Sequence, residues 1–225
     1  MLMRQTLDYV FSNAEKNNPK SILQTIDNFV LESGQFLMNV GPEKGEILRD
    51  HLVKSKPNNV IELGTFIGYS AVLISSTIGE KSKLTSIDSD SHSIEIAKEL
   101  INFAGLDDKV NFMHGNAEEI IPELNFNADF VFIDHAKKKY LSDLKLLETE
   151  EIILKNCTVF ADNVATRPLI GSSGKGCSAR PLSIRWRSQM ASRSSFVFAR
   201  RMSWRNWPSA STPKPTKINK ILIPN

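Results

Sequence analysis

The sequence predicts an α/β fold in which a parallel β-sheet carries helices on both faces. Two observations favour this class. Five strand-length runs rich in Val, Ile and Phe alternate with helix-like segments across the first 162 residues, which is typical of βαβ units. Glycine and acidic residues follow several of these runs, at the strand ends where open α/β sheets bind ligands. The predicted strands cover residues 59–63, 84–88, 110–114, 129–134 and 157–161.

The helices are predicted from the spacing of their apolar residues. The clearest helix covers 91–104, where apolar residues recur on one face, and Gly105 follows as its expected end. About 55 residues precede the sheet and are expected to form helices. A break is predicted at Gly41-Pro42, with a second helix over 43–54.

Charge divides the chain into two parts. Residues 1–162 hold all 25 acidic residues and 16 of the 28 basic ones, so this part carries −9. The remaining 12 basic residues give the rest of the chain +12, which leaves a formal net charge of +3. This difference favours one domain followed by a basic appendage, and the motifs described below place the join near Val164, which gives a domain over 1–164. The predicted parts are a helical segment at 1–55, a sheet core at 56–164 and a basic tail at 165–225.

The overall composition excludes several classes of protein. With 41% hydrophobic and 24% charged residues, it is that of an ordinary water-soluble chain. No run approaches the roughly 18 apolar residues of a membrane span, and the first residues lack the apolar core of a secretory signal. Cys157 and Cys177 provide neither a disulfide framework nor a metal-ligand spacing. We expect a cytoplasmic protein without a membrane partner.

The first two strands end in residues suited to a nucleotide-type ligand. Gly64 and Gly68 allow a tight turn into the next helix, although a plain strand-to-helix turn would use them equally well. Asp88 ends the second strand 24 residues after Gly64, a spacing that suits hydrogen bonds from ribose hydroxyls. Asp88 could instead cap the following helix, but Asp90 or Ser91 would serve that purpose and leave Asp88 for a ligand.

The fourth and fifth predicted strands end in Asp134 and in Asp162-Asn163. Their oxygen atoms would suit Mg²⁺, which takes one or two carboxylates and leaves other positions to water or substrate. The alternative is that these residues only cap loops. Lys137 could act as a general base beside such a cation, although lysines in a run of three are more often solvated surface.

Beyond these single positions, a set of motifs resembles the catechol O-methyltransferase family. The matches follow in order from about residue 35 to residue 164 with nearly unchanged spacing, and together they are far more specific than any glycine pair. The matching motifs are Met38-Asn-Val-Gly41, Lys44-Gly45, Glu62-Leu-Gly64, Gly68-Tyr-Ser-Ala71, Asn102-Phe-Ala-Gly-Leu106, Ile120-Ile-Pro122, Asp134-His135 with Lys137, Tyr140-Leu141, and Ala161-Asp-Asn-Val164.

The resemblance implies a Rossmann-like sheet that binds S-adenosylmethionine, dependence on Mg²⁺, and transfer of a methyl group to a hydroxyl of a catechol-type small molecule. It further implies that Asp134, Asp162 and Asn163 ligate Mg²⁺ and that Lys137 is the catalytic base. Chelation of both catechol oxygens would acidify them and set the angle of in-line attack on the methyl group. The positions implied to line the cofactor pocket are Met38, Val40, Glu62, Gly64, Phe66, Ser70, Asp88, Ala117, Glu118 and His135.

The chain departs from the family at the substrate side and at its C-terminal end. Phe36 and Ala136 stand where the family has tryptophans. No acidic residue follows Asp162, so the family's later glutamate, which bonds the second catechol hydroxyl, has no counterpart. We therefore expect the C-terminal edge strands of the sheet to be missing or altered.

The origin and role of the basic tail stay open. An altered reading frame or splice would explain the abrupt change in composition, a basic appendage with aromatic residues would suit nucleic acid, and a disordered tail fits either origin. The rival functions are a catalytically impaired protein that only binds the cofactor, methylation of another small phenol or diol, and nucleic-acid binding through the tail. We expect a monomer with a small-molecule substrate, and nucleic acid is the less favoured partner.

Overall fold

A computed structural model of the chain describes residues 1–162 and 195–198. Within these residues, helices and strands alternate as the sequence predicts. The helices are α1 (Leu2–Asn13), α2 (Pro19–Ser33), α3 (Gly41–Ser55), α4 (Tyr69–Thr77), α5 (Ser91–Ala104), α6 (Ala117–Ile120) and α7 (Tyr140–Thr149). The strands are β1 (Asn59–Leu63), β2 (Lys83–Asp88), β3 (Val110–His114), β4 (Ala128–Ile133), β5 (Ile153–Ala161) and β6 (Ser195–Phe198).

The strands form one sheet in the order β3-β2-β1-β4-β5-β6, and every neighbouring pair is parallel. The chain therefore runs outward from β1 to β3 and then returns to the other side of β1. This reversal opens a crevice at the carboxyl ends of β1 and β4, which is where open α/β sheets bind ligands. The α/β fold class is confirmed.

Apolar residues cover both faces of the sheet. Because side chains alternate along a strand, Phe130 and Phe132 of β4 lie in a core cluster with residues of α1 to α5. Val131 and Ile133 lie in a second cluster with Leu144 and other residues of α7. Among the described residues, no helix is both long and apolar enough to cross a membrane.

The first turns of α5 and α3 show why the start of one helix is predicted correctly and that of the other is not. Helix α5 has the predicted bounds because Asp90 caps it, accepting hydrogen bonds from the backbone of His92 and Ser93. The predicted break at Gly41-Pro42 is wrong, since these two residues form the first turn of α3. Proline is well suited to that turn because its missing N–H needs no partner there.

The C-terminal edge contains a strand that the sequence reasoning did not predict. Strand β6 pairs Ser195 through Phe198 with Thr158 through Ala161 of β5. It lies within the segment assigned to the basic tail, so four residues of that segment extend the sheet. The other residues of the predicted tail, and Asn163 with Val164, lie outside the described residues.

Candidate active site

Gly64 brings the ends of β1 and β4 into close contact. Its φ of +100° belongs to a region that favours glycine. A Cβ atom at this position would lie 2.6 Å from the carbonyl oxygen of Asp134, which leaves no room for any side chain. The backbone of Asp134 also donates to the carbonyl of Leu63 at 2.8 Å. The first glycine of the predicted loop is therefore required by both conformation and space.

A cavity of about 170 Å³ opens beside this contact. It gathers five of the residues that the resemblance assigns to the cofactor: Gly64, Asp88, Ala117, Glu118 and His135. The sequence does not assign the other lining residues to the cofactor; they are Leu63, Ile87, Ser89, Gly115, Asn116, Ala136, Lys139 and Asp143. Most of these residues lie just after β2 or β3 or in the loop after β4. This position at the end of a strand could have identified them in the sequence.

Asp88 is held by backbone groups at the edge of this cavity. Its Oδ2 accepts from the N–H groups of Thr65 and Phe66 at 2.8 and 3.1 Å, and its Oδ1 accepts from the N–H of Asp90 at 2.9 Å. Asp90, and not Asp88, caps α5, as the ligand interpretation of Asp88 requires. Phe66 has a φ of +49°, so this carboxylate also holds a left-handed residue in the glycine-containing loop.

Glu62 lies fully buried in β1, next to the lining residue Leu63, and accepts a hydrogen bond from Ser86. Ser86 in turn bonds to Thr65 across 2.6 Å between their hydroxyl oxygens. Burial raises the pKa of Glu62 to about 7, while hydrogen bonds from Ser70 and Ser86 oppose the shift. Ser70 is also buried. Glu62 and Ser70, two of the predicted cofactor positions, therefore belong to one buried polar network.

An acidic pair forms at the ends of β4 and β5, as predicted. The N–H of Asp162 donates to the carbonyl of Ile133 at 3.0 Å, and the side chains of Asp134 and Asp162 lie close enough for their charges to interact. Burial raises the pKa of Asp134 to about 8; the charge of Asp162 adds to this shift and Lys44 opposes it. Two neighbouring carboxylates are thus placed where the resemblance puts a metal.

Lys44 is a further site residue that the sequence reasoning missed. Its Nζ lies 2.5 Å from Oδ2 of Asp162, and the two side chains are only 14% and 3% exposed. In the sequence Lys44 stands out only as part of the Lys44-Gly45 motif. No spacing pattern connects it with Asp162, which lies 118 positions away. It provides a buried positive charge that offsets part of the acidic pair.

The donor set at this pair fits a hard cation such as Mg²⁺, for which one or two carboxylates with water and ligand oxygens suffice. The described residues contain no group of three or more His, Cys, Asp or Glu that could hold a metal ion. Asp134 and Asp162 would therefore supply only part of a coordination shell. The third predicted ligand, Asn163, lies outside the described residues.

The remaining predicted positions lie around this centre. Lys137 is exposed in the turn between β4 and α7. Val40 is buried at the start of α3, whereas Met38 and Phe36 are 67% and 58% exposed on the loop before it. The structure therefore gathers the glycine, acidic and histidine positions in one place but leaves Met38 and Lys137 at the surface.

Comparisons with known proteins show which family the chain resembles. A family model described as O-methyltransferase matches residues 12–167. Over 166 residues the chain is 34% identical to catechol O-methyltransferase of Mus musculus, covering 72% of this chain and 62% of that protein. It is 35% identical to the mouse "Transmembrane O-methyltransferase homolog", covering 71% of this chain and 64% of that protein. The chain thus spans less than two thirds of the length of these relatives.

Solved structures show the same fold at lower identity. The O-methyltransferase TomG of Streptomyces achromogenes, in complex with SAM, superposes with a TM-score of 0.57 and 23% identity, covering 63% of this chain and 65% of that chain. The O-methyltransferase of Bacillus cereus, in complex with SAH, gives 0.56 and 21%, covering 63% and 66%. The match to the family model spans most of the sheet and the acidic strand ends, and on this basis the chain belongs to the O-methyltransferase family.

Proposed function

We propose that the protein transfers a methyl group from S-adenosylmethionine to a hydroxyl of a small catechol-type molecule, with the help of Mg²⁺. The observation that carries this proposal is the contact at Gly64. It places the cavity beside Asp88 and His135 directly against the backbone of Asp134. A cofactor pocket and an acidic pair so close together are what methyl transfer to a chelated oxygen needs.

The residues of the pocket suit a donor-rich cofactor. Asp88 and Glu118 offer carboxylate oxygens at its wall, which would accept hydrogen bonds from ribose hydroxyls and from an amino group. The backbone around Gly64 allows close approach because no side chain projects there. The buried positions Val40, Glu62 and Ser70, together with Met38 and Phe66, would line the rest of the cofactor pocket, as the family resemblance implies.

The acidic pair would hold the metal together with Asn163. Bound Mg²⁺ would supply Lewis acidity that favours the ionised catechol oxygen. Lys44 keeps Asp162 in place and reduces the net charge of the pair. Lys137, at the exposed rim, would accept the proton of the reacting hydroxyl, and its exposed position allows the proton to pass to solvent.

A second function is favoured by the absence of any acidic residue after Asp162 in the sequence. The family's glutamate for the second catechol hydroxyl has no counterpart, so the substrate wall is incomplete. The corresponding rival is a protein that binds the cofactor but turns over catechols slowly or not at all. Another small phenol or diol as the substrate is the same-class alternative.

Labelled S-adenosylmethionine, a catechol and Mg²⁺ would test these functions together. We expect transfer of label that stops when the metal is chelated and falls by about 100-fold in Lys137→Ala, because general bases contribute factors of this order. Lys138→Ala is the matched control, since Lys138 is the exposed neighbour in the same turn. Cofactor binding without transfer would favour the impaired form, and transfer that survives chelation would contradict the role of Mg²⁺.

The expected cytoplasmic location and monomeric state belong to the same proposal. Their support is the ordinary water-soluble composition and the net charge of −9 over residues 1–162, which favours solubility. Sedimentation velocity and cell fractionation would check them. Salt-sensitive binding of nucleic acid would instead favour a role for the basic tail.

A further inference from the structure

His135 forms part of the cavity wall and its backbone is fixed in place. A Cβ atom on Gly64 would lie 3.0 Å from the backbone nitrogen of His135, so the two loops are already in contact. The imidazole is mostly buried, with 17% of the side chain exposed. Its orientation therefore decides how much of the cavity a ligand can use.

Two residues of α7 hold the imidazole ring from different sides. Its Nε2 lies 2.6 Å from Oδ2 of Asp143, whose side chain is only 3% exposed. The ring of Tyr140 stacks against it, with centroids 5.2 Å apart and planes inclined by 11°. Tyr140 and Asp143 are three positions apart, so both lie on one face of the helix. The hydroxyl of Ser142, which donates to the backbone carbonyl of Lys139 at 2.8 Å, also lies 3.1 Å from Oδ1 of Asp143.

The surroundings of both ring nitrogens of His135 favour the same tautomer. Because a carboxylate oxygen accepts hydrogen bonds, the proton shared with Asp143 belongs to Nε2. Nδ1 is buried and has no hydrogen-bond partner among residues 1–162 and 195–198. A proton on Nδ1 would leave a buried donor unpaired, which is less favourable than an unpaired acceptor.

We propose that Asp143 is a positioning residue of the cofactor site, acting through His135. Its hydrogen bond and the stacked Tyr140 ring fix the rotamer and the Nε2–H tautomer of the imidazole. A ring that is already fixed does not have to be ordered when the ligand binds, and such preorganisation strengthens binding. This inference rests on the proposed function only for the identity of the ligand.

The test uses the full chain with S-adenosylhomocysteine as the probe. Side-chain ¹⁵N NMR reports the tautomer of His135, assigned by comparison with His135→Gln, and calorimetry gives the affinity of the probe. We expect the Nε2–H form in the unmodified protein. Asp143→Ala should give a mixture of tautomers and roughly tenfold weaker binding. Asp143→Asn keeps an oxygen at this place and should restore most of both. Lys145→Ala, on the exposed side of α7, should change neither.

The inference is overturned if His135 carries its proton on Nδ1 in the unmodified protein, or if folded Asp143→Ala binds the probe as tightly as the unmodified protein. If the alanine variant does not fold, the tautomer of the unmodified protein and the behaviour of Asp143→Asn decide. If the unmodified protein does not bind the probe, the proposed function fails. The NMR comparison of the tautomers still tests the positioning role in that case, and an unchanged tautomer in folded Asp143→Ala overturns it.

Discussion

At the residue scale, the site depends on a few positions that tolerate little change. Gly64 is the clearest, because backbone atoms occupy the space of its absent side chain. Lys44 is another, since its charge is buried against Asp162. The sequence indicated the glycine through the loop pattern. It could not indicate the lysine's partner, because helix α3 and the end of β5 meet only in the folded chain.

We expect Gly64→Ala to destabilise the protein by at least twice as much as Gly34→Ala. Gly34 also has a positive φ, +63°, but nothing lies within 4 Å of the position a Cβ would take. Its variant therefore measures the backbone strain alone, about 1 kcal/mol. The extra loss in Gly64→Ala measures the clash with Asp134. Urea denaturation of both variants checks this, and equal losses would mean that the loop moves aside without cost.

Two replacements of Lys44 should show how much of its contribution to stability comes from its charge and how much from the packing of its side chain. Lys44→Met keeps most of the apolar stem but leaves the buried carboxylate of Asp162 without its nearby cation, and we expect a loss of about 3 kcal/mol in the free energy of unfolding. Lys44→Arg should lose much less. The exposed pair of Lys139 and Glu118 offers the control, since about half of each side chain is accessible. Lys139→Met should change the stability by less than about 1 kcal/mol.

At the element scale, the bounds of a helix are predictable from the sequence where several local signals mark the same residues. Helix α5 was predicted to the residue because its apolar spacing, the cap at Asp90 and Gly105 in a left-handed conformation all mark the same bounds. Strand β6 was not predicted, because its position at the sheet edge follows from pairing with β5 and not from its own composition. The break assigned to Gly41-Pro42 failed because the same pair also suits a first helical turn.

The cap of α5 gives a prediction at this scale. Asp90→Ala removes the acceptor for the backbone of His92 and Ser93 and should cost about 1 kcal/mol of stability. Asp50→Ala is the matched control, because Asp50 is an exposed residue inside α3. Thermal unfolding of the two variants provides the measurement. A loss at Asp90 no larger than that at Asp50 would show that water replaces the cap.

At the scale of the whole molecule, three carboxyl groups in partly or fully buried positions have pKa values raised to about 7 or 8. Burial raises the pKa of Asp27 to about 7, against the lowering effect of its hydrogen bond from Tyr69. Glu62 and Asp134 show shifts in the same direction. In each case the folded state binds the proton more tightly than the unfolded chain. Stability from these groups is therefore present at low pH and is lost as the pH rises towards each folded-state pKa.

We accordingly expect the free energy of unfolding to fall between about pH 5 and pH 7, and Asp27→Asn to reduce this slope. One proton corresponds to about 1.4 kcal/mol per pH unit. Asp27 lies in α2 and accepts a hydrogen bond from Tyr69, so the variant changes no residue of the acidic pair. Urea denaturation across this pH range measures the slope, with Asp8→Asn as the control for an exposed acid of α1. An unchanged slope in Asp27→Asn would assign the pH dependence to other groups.

The fold as a whole shows why the site was only partly predictable. Residues that end strands, such as Asp88, Asp134 and Asp162, are recognisable because parallel strands bring their ends to one edge. Residues that reach the edge from helices, such as Lys44 and Asp143, carry no such mark in the sequence.

The contact between Gly64 and Asp134 also has a mechanical consequence. With no side chain between them, the loop after β1 and the loop after β4 have nothing compressible to absorb a displacement. A displacement of one loop towards the other would therefore press directly on its backbone. The distance between the carboxylates of Asp134 and Asp162 would then depend on whether the cavity is filled.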